Sequence, residues 1–212
     1  MKGAIKRTSL AALLYGVGMS ASAAQSEGPP PLIDLAGRQC ATTPDFTHAL
    51  SLANDPNKEK ETKTDIGASM PCLQGANGAS VYVVYALPPA DTHYTVNVAS
   101  NLSGHTLFAP RVTLYGADGT LRREFAGTAI VFRGNTLCVL FRSHEDERYL
   151  VVSSDPTVVG QRSSRITDST MMAGAMAGPV IFQIHTGSEA KSDFTYAYNG
   201  SITITLAPLP AK

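Results

Sequence analysis

From Ala79 to the last residues, apolar side chains recur at every second position, and that alternation leaves little room for any fold that is not built of strands. Val81, Val83 and Tyr85 interleave with Tyr82, Val84 and Ala86, so both faces are apolar and a central strand is expected. Tyr94, Val96 and Val98 alternate with Thr95 and Asn97, the pattern of a strand with one wet face. Phe108, Val112 and Leu114 follow on one face, with Pro110 marking a bulge or an edge between them.

Turn residues divide the alternation into short pieces. Gly116-Ala117-Asp118-Gly119 leads into a strand over 121–125, and Gly134-Asn135 joins 129–132 to 137–141. Asn199-Gly200 predicts a hairpin that sets Phe194, Tyr196 and Tyr198 against Ile202, Ile204 and Leu206. Strands over 149–152 and 180–184 complete the set, which reads as an antiparallel β-sandwich of jelly-roll or immunoglobulin-like type. Helical spacing occurs once: Thr43-Pro44 reads as a helix start, with Phe46, Ala49, Leu50 and Ala53 on one face. The charged run 54–64 reads as a solvated loop.

The first 24 residues carry no part of this fold. Lys2, Lys6 and Arg7 precede the apolar stretch Leu10 to Met19, and Ala21-Ser22-Ala23-Ala24 supplies small residues for cleavage, the order of a secretory signal peptide. Residues 25–75 are then expected as an extended arm through Gly28-Pro29-Pro30-Pro31, the short helix and the loop, and 76–212 as the sandwich. Beyond the signal, 14 Lys and Arg stand against 17 Asp and Glu, a formal charge of −3 that argues against nucleic-acid binding. No later apolar run reaches the ~20 residues of a membrane helix, and no membrane insertion is expected.

Export fixes the redox setting of Cys40, Cys72 and Cys138. The first two lie in loop-like sequence and are paired here, a bridge worth roughly 3–4 kcal/mol on loop entropy; Cys138, in an apolar strand, is left as a buried thiol.

Few residues suggest chemistry. No G-x-S-x-G, H-E-x-x-H or P-loop occurs, so no catalytic, cofactor-binding or metal-binding residue is assigned. Ser143-His144-Glu145-Asp146-Glu147 collects an imidazole and three carboxylates, and is read as a solvated hairpin loop in preference to a cation site. Met171, Met172 and Met176 with His185 are soft donors suited to Cu(I), set against a flexible Gly/Ala loop at the sandwich end. Tyr94, Tyr115, Tyr196 and Tyr198 would suit a sugar platform, but aromatic residues are favoured in strands anyway and the chain has no Trp. His48, His93 and His105 are isolated and read as surface or structural histidines.

The stretch Ser103-Gly104-His105-Thr106-Leu107-Phe108-Ala109-Pro110-Arg111-Val112-Thr113-Leu114 resembles the periplasmic MalM-like family, that of the maltose operon periplasmic protein. The pieces around it follow in similar order: 75–88 as a strand ending in Pro, 94–100 as the next, and a later Leu/Tyr/Val-rich pair over 137–155. The resemblance implies a periplasmic, non-enzymatic accessory of maltose or maltodextrin uptake or of envelope organisation, and it supplies no site residues. Longer members continue through an Ala/Pro-rich linker into a helical tail that this sequence does not show. A glycan or an envelope protein of a sugar-uptake system is the partner expected. The rival readings are a secreted hydrolase or metal-dependent enzyme with a loop-built site around His144, and a copper or small-ligand carrier.

Overall fold

The computed structural model describes residues 33–88, 94–177 and 180–209; the export segment, the Gly-Pro arm and His93 lie outside them. Among the described residues fourteen strands follow in chain order: β1 Leu50–Ser51, β2 Lys60–Ile66, β3 Cys72–Gly75, β4 Gly78–Ala86, β5 Tyr94–Asn101, β6 Thr106–Phe108, β7 Pro110–Tyr115, β8 Leu121–Phe125, β9 Val131–Arg133, β10 Thr136–Arg142, β11 Tyr149–Ser154, β12 Arg162–Ala177, β13 Val180–Ala197 and β14 Gly200–Pro208. One six-stranded sheet runs β1-β4-β11-β7-β8, with β3 also on β4; a five-stranded sheet runs β2-β14-β5-β10-β9; a small third sheet runs β12-β13-β6. The fold is an all-β sandwich.

Within it, β5-β10-β9 and β11-β7-β8 have the neighbours and antiparallel directions of the B-E-D and F-C-C′ strands of an immunoglobulin-type sandwich. The flanks are exchanged. The strand that precedes β5 lies beside β11, and the last strand, β14, lies beside β5.

The core is made by the inward half of each alternation. Val81, Val83, Tyr85, Val112, Leu114, Leu150 and Val152 of one sheet meet Val96, Val98, Val139, Phe141, Ile202, Ile204 and Leu206 of the other. Each side chain buried in this way contributes about 1.5–3 kcal/mol relative to exposure. Tyr85 is fully buried among them, and that burial pushes its phenol up to about 12.

β4 is apolar on both faces because its outer face is covered too. Tyr82, Val84 and Val151 form a second cluster against which Phe46, Ala49, Leu73, Tyr115 and Tyr149 pack. The cover is the segment expected as a helix, and no helix forms there. Asp45 accepts hydrogen bonds from the Thr47 N–H (2.9 Å) and hydroxyl (2.5 Å), a local turn that competes with helical bonding. Those bonds and His48 at 2.8 Å hold its carboxyl down to about 2. The Cys40–Cys72 disulfide, with Cα atoms 4.7 Å apart, ties the start of the segment to β3. Ala41 extends that tie through Ala41 N–H to Cys72 O (2.9 Å) and Gln74 N–H to Ala41 O (2.7 Å). β1 then pairs in parallel with Tyr85 and Ala86.

Three further expectations change. The charged run read as a loop is irregular over 54–59, but from Lys60 it supplies β2, an edge strand on β14 whose Thr62 and Thr64 stand opposite Ile204 and Ile202. Threonines in place of apolar residues hid the alternation. The Met-rich segment read as a flexible loop lies in β12, paired with β13 from Arg162↔Thr195 to Ala177↔Val180. The hairpin across Asn199-Gly200 is absent: β13 belongs to the small sheet and β14 to the five-stranded sheet, so the chain changes sheets at this turn.

Close approaches fix both this change of sheet and the one from β6 to β7. At Ala109 the chain leaves β6 for β7, with Asp155 N–H bonded to Ala109 O at 2.7 Å and the buried Ser100 hydroxyl donating to Phe108 O at 2.8 Å. At Gly200, φ is +156°, and a Cβ there would stand 2.8 Å from Phe108 Cβ and 3.3 Å from Phe108 N. Gly200→Ala is therefore expected to destabilise the fold by about 1–3 kcal/mol through overpacking, read as a lower urea midpoint at unchanged slope. A midpoint equal to that of the parent chain would show that the crossing has slack.

Candidate functional site on the outer face of the five-stranded sheet

While the outer face of the six-stranded sheet is strapped, that of the five-stranded sheet is open. The polar half of each alternation forms a grid there. Ala99 of β5 is opposite Thr203 of β14 and Cys138 of β10; Asn101 is opposite Ser201 and Thr136; Asn97 is opposite Thr205 and Leu140. Ala99 and Cys138, both small and buried, form the floor of a shallow depression of about 470 Å³. Asn97, Asn101, Thr136, Thr203 and Thr205 stand around it.

Edge strands close the two sides with opposite charges, Glu61 on β2 and Arg133 on β9. Asn101 is held from both flanks: its carboxamide donates to the Thr203 hydroxyl at 3.3 Å and accepts from the Thr136 hydroxyl at 3.2 Å. The Leu140 side chain, 47 % exposed, adds an aliphatic surface. The result is a rigid array of hydroxyl and amide groups on sheet backbone, suited to binding a polar ligand. No histidine lines it, and its thiol is buried.

The residues singled out from sequence lie elsewhere and apart. Tyr94 is in the core; Tyr115 packs on Phe46 and Tyr196 on Phe194, each at 5.3 Å between ring centres; Tyr198 packs against the core. They build no common platform. His48 sits in the exposed turn with Asp45, and His105 approaches Asp193 O at 3.4 Å. Met172 and His185 are register partners and Met171 is next to them on β12, but their side chains lie outside the described set. Among the described residues, no group of three or more His, Cys, Asp or Glu is placed to hold a metal ion.

The 143–147 turn corrects one reading. His144, Glu145 and Asp146 are exposed as expected, but the Glu147 carboxylate is wholly inaccessible. It accepts from Arg123 Nε at 2.6 Å, Arg123 Nη2 at 2.9 Å and the His144 N–H at 2.9 Å. The same guanidinium lies 5.5 Å and 5.4 Å from the ring centres of Phe125 and Phe141, which stack on each other. Sequence reasoning missed this pair because Arg123 and Glu147 are 24 positions apart and reach each other only through the β7-β8 and β10-β11 turns. Arg123→Ala is expected to cost about 3–5 kcal/mol, since it strands a buried carboxylate. Glu147→Ala should cost about 1.5–3 kcal/mol, since the partly exposed guanidinium can turn to water. Chemical denaturation of both variants checks the order; equal and negligible losses would contradict the clamp.

On the opposite sheet, Arg111 bonds Glu124 at 2.9 Å and Asp155 at 3.3 Å. For Asp155, burial pushes the pKa up, but hydrogen bonds from Thr157 and the Arg111 charge outweigh it and hold the carboxyl below its usual range. A depressed carboxyl stabilises the fold above its unfolded pKa of ~3.9 and loses that contribution as pH falls through the lowered folded value. The stability gap between the parent chain and Asp155→Asn should accordingly be full near pH 6 and close below pH 4. Urea melts at a series of pH values measure it, and a gap independent of pH would remove Asp155 from the acid response.

Comparison with known protein families finds no match, and comparison with curated proteins finds none at significant similarity. Among solved structures, the chain is similar to the crystal structure of the infectious bursal disease virus VP2 subviral particle, at 11 % identity and a TM-score of 0.24. That match covers 74 % of this chain and 36 % of the viral one.

Proposed function

We propose that this chain is an exported, non-enzymatic accessory protein of carbohydrate uptake in the periplasm, and that it binds an oligosaccharide of maltodextrin type on the open face of the five-stranded sheet. The observation that carries the reading is the array around Asn101, whose fixed donors and acceptors fit the hydroxyls of a sugar. The resemblance of residues 70–160 to the MalM-like family supports it. So does the Cys40–Cys72 bridge, since disulfides persist in oxidising compartments. No described helix is long and apolar enough to cross a membrane.

The loop-built hydrolase loses support from the Arg123 clamp, which occupies the Glu147 carboxylate that such a site would use. Calorimetric or NMR titration of maltodextrins into the exported chain tests the proposal. Binding is expected, with chemical shifts moving at Asn97, Asn101 and Thr203. Asn101→Ala combined with Thr203→Val should weaken it at least tenfold without shifting the melting temperature by more than a few degrees. Absence of binding across maltodextrins and other neutral glycans, or binding unaffected by the double variant, would overturn the proposed site.

A further inference from the structure

The sandwich guards its own strand edges. β2 carries Lys60, Glu61, Lys63 and Asp65; β8 carries Arg122, Arg123 and Glu124; β9 is three residues long and holds Arg133. Charges and brevity of this kind prevent edge-to-edge pairing with another chain. Between Ser169 and Ser188 the ribbon of β12 and β13 has no such protection, whereas its root carries Arg162, Arg165 and Asp168 on β12 and Glu189, Lys191 and Asp193 on β13. The ribbon is paired without a register shift over 16 positions, about 50 Å of strand. Among the described residues its sole strand neighbour is β6, which meets β13 at Thr195–Ala197. β12 is thus, among the described strands, an edge strand along its whole length. Residues 169–188 include no Asp, Glu, Lys or Arg, and no proline or bulge interrupts β12.

A two-stranded ribbon is at best marginal in water and needs further strands or a packed face. We infer that β12 pairs antiparallel with β12 of a second copy of this chain, the uncharged stretch 169–177 lying on itself, so that two ribbons make one four-stranded sheet. The contrast with the guarded edges argues for a partner strand in place of solvent, and charge selects the register. Pairing 169–177 with itself puts Ala173 opposite Ala173 across a two-fold axis and sets each Asp168 beyond the end of its partner's strand. Such an interface is isologous and closes as a dimer. It is independent of the glycan-binding reading, because it involves neither the five-stranded sheet nor its outer face.

The test uses the full exported chain. Sedimentation equilibrium should show a dimer. Ala173→Cys should form an interchain disulfide under mild oxidation, since directly opposed Cα atoms of an antiparallel pair stand ~4.5–5.5 Å apart, within disulfide reach. Ile166→Cys, seven positions from the axis, should not. Ala173→Lys combined with Ala175→Lys should weaken dimerisation at least tenfold, with the thermal melt of the sandwich retained as the check that the fold survives. A monomer at high micromolar concentration would overturn the inference. So would a dimer that tolerates both lysines, a dimer without the Ala173→Cys crosslink, or association seen only on phosphatidylcholine vesicles.

Discussion

Two rows of side chains, Val81, Val83, Val112, Leu114, Leu150 and Val152 from one sheet and Val96, Val98, Val139, Ile202 and Ile204 from the other, are removed from water by each other, and the remaining features follow from that contact. Strand alternation that commits alternate positions to this interior determines what is left for the two outer faces. The two outcomes differ. Around β4 the outer residues are also apolar, Tyr82 and Val84 with Val151, and the sheet needs a cover. Around β5 they are Asn97, Ala99 and Asn101, and the sheet can stand in water uncovered. One face recruits the N-terminal segment, and the other stays open.

The cover is secured by covalent and polar links because its own apolar content is small. Phe46 inserts between Tyr115 and Tyr149, but β1 spans two residues and Leu50 is largely exposed. The Cys40–Cys72 bridge lowers the entropy of the unfolded chain just where packing alone is thin. At the 143–147 turn the same need is met by charge. A carboxylate with no access to water is tolerated because Arg123 and a backbone N–H satisfy both of its oxygens.

What the sequence reveals follows from which interactions are local. β4, β5, β7, β10 and β11 are legible because each carries its own alternation, and the β7-β8 and β9-β10 hairpins because Gly119 and Gly134 adopt the positive φ their turns require. Cys40 with Cys72 is legible from composition along the chain. The helix over 43–53 fails because the helical spacing of Phe46, Ala49, Leu50 and Ala53 is overridden by the local Asp45–Thr47 turn together with a disulfide and sheet pairing that are long-range. Asn199-Gly200 fails for another reason. The glycine is required by the proximity of Phe108, a residue 92 positions earlier, and not by a hairpin turn. The open face shows in the sequence only as the wet half of strands such as Thr95 and Asn97. Its depression exists because β14, distant in sequence, brings Thr203 beside Ala99.

Sheet membership also explains how a long ribbon can be carried without endangering the domain. β13 enters the sandwich at its end, where Phe194 and Ala197 are buried and Thr195–Ala197 pair with β6. Beyond that root, the pairing partners of β13 are all on β12. The backbone pairing of the ribbon's outer half therefore reaches the sandwich through this root. Local stability of the single chain is expected to fall along it, since backbone hydrogen bonds shared by two strands open more easily than those in a five-stranded sheet. A segment anchored at a rigid root suits an interaction surface, because a partner strand can pair with it without disturbing the two packed sheets.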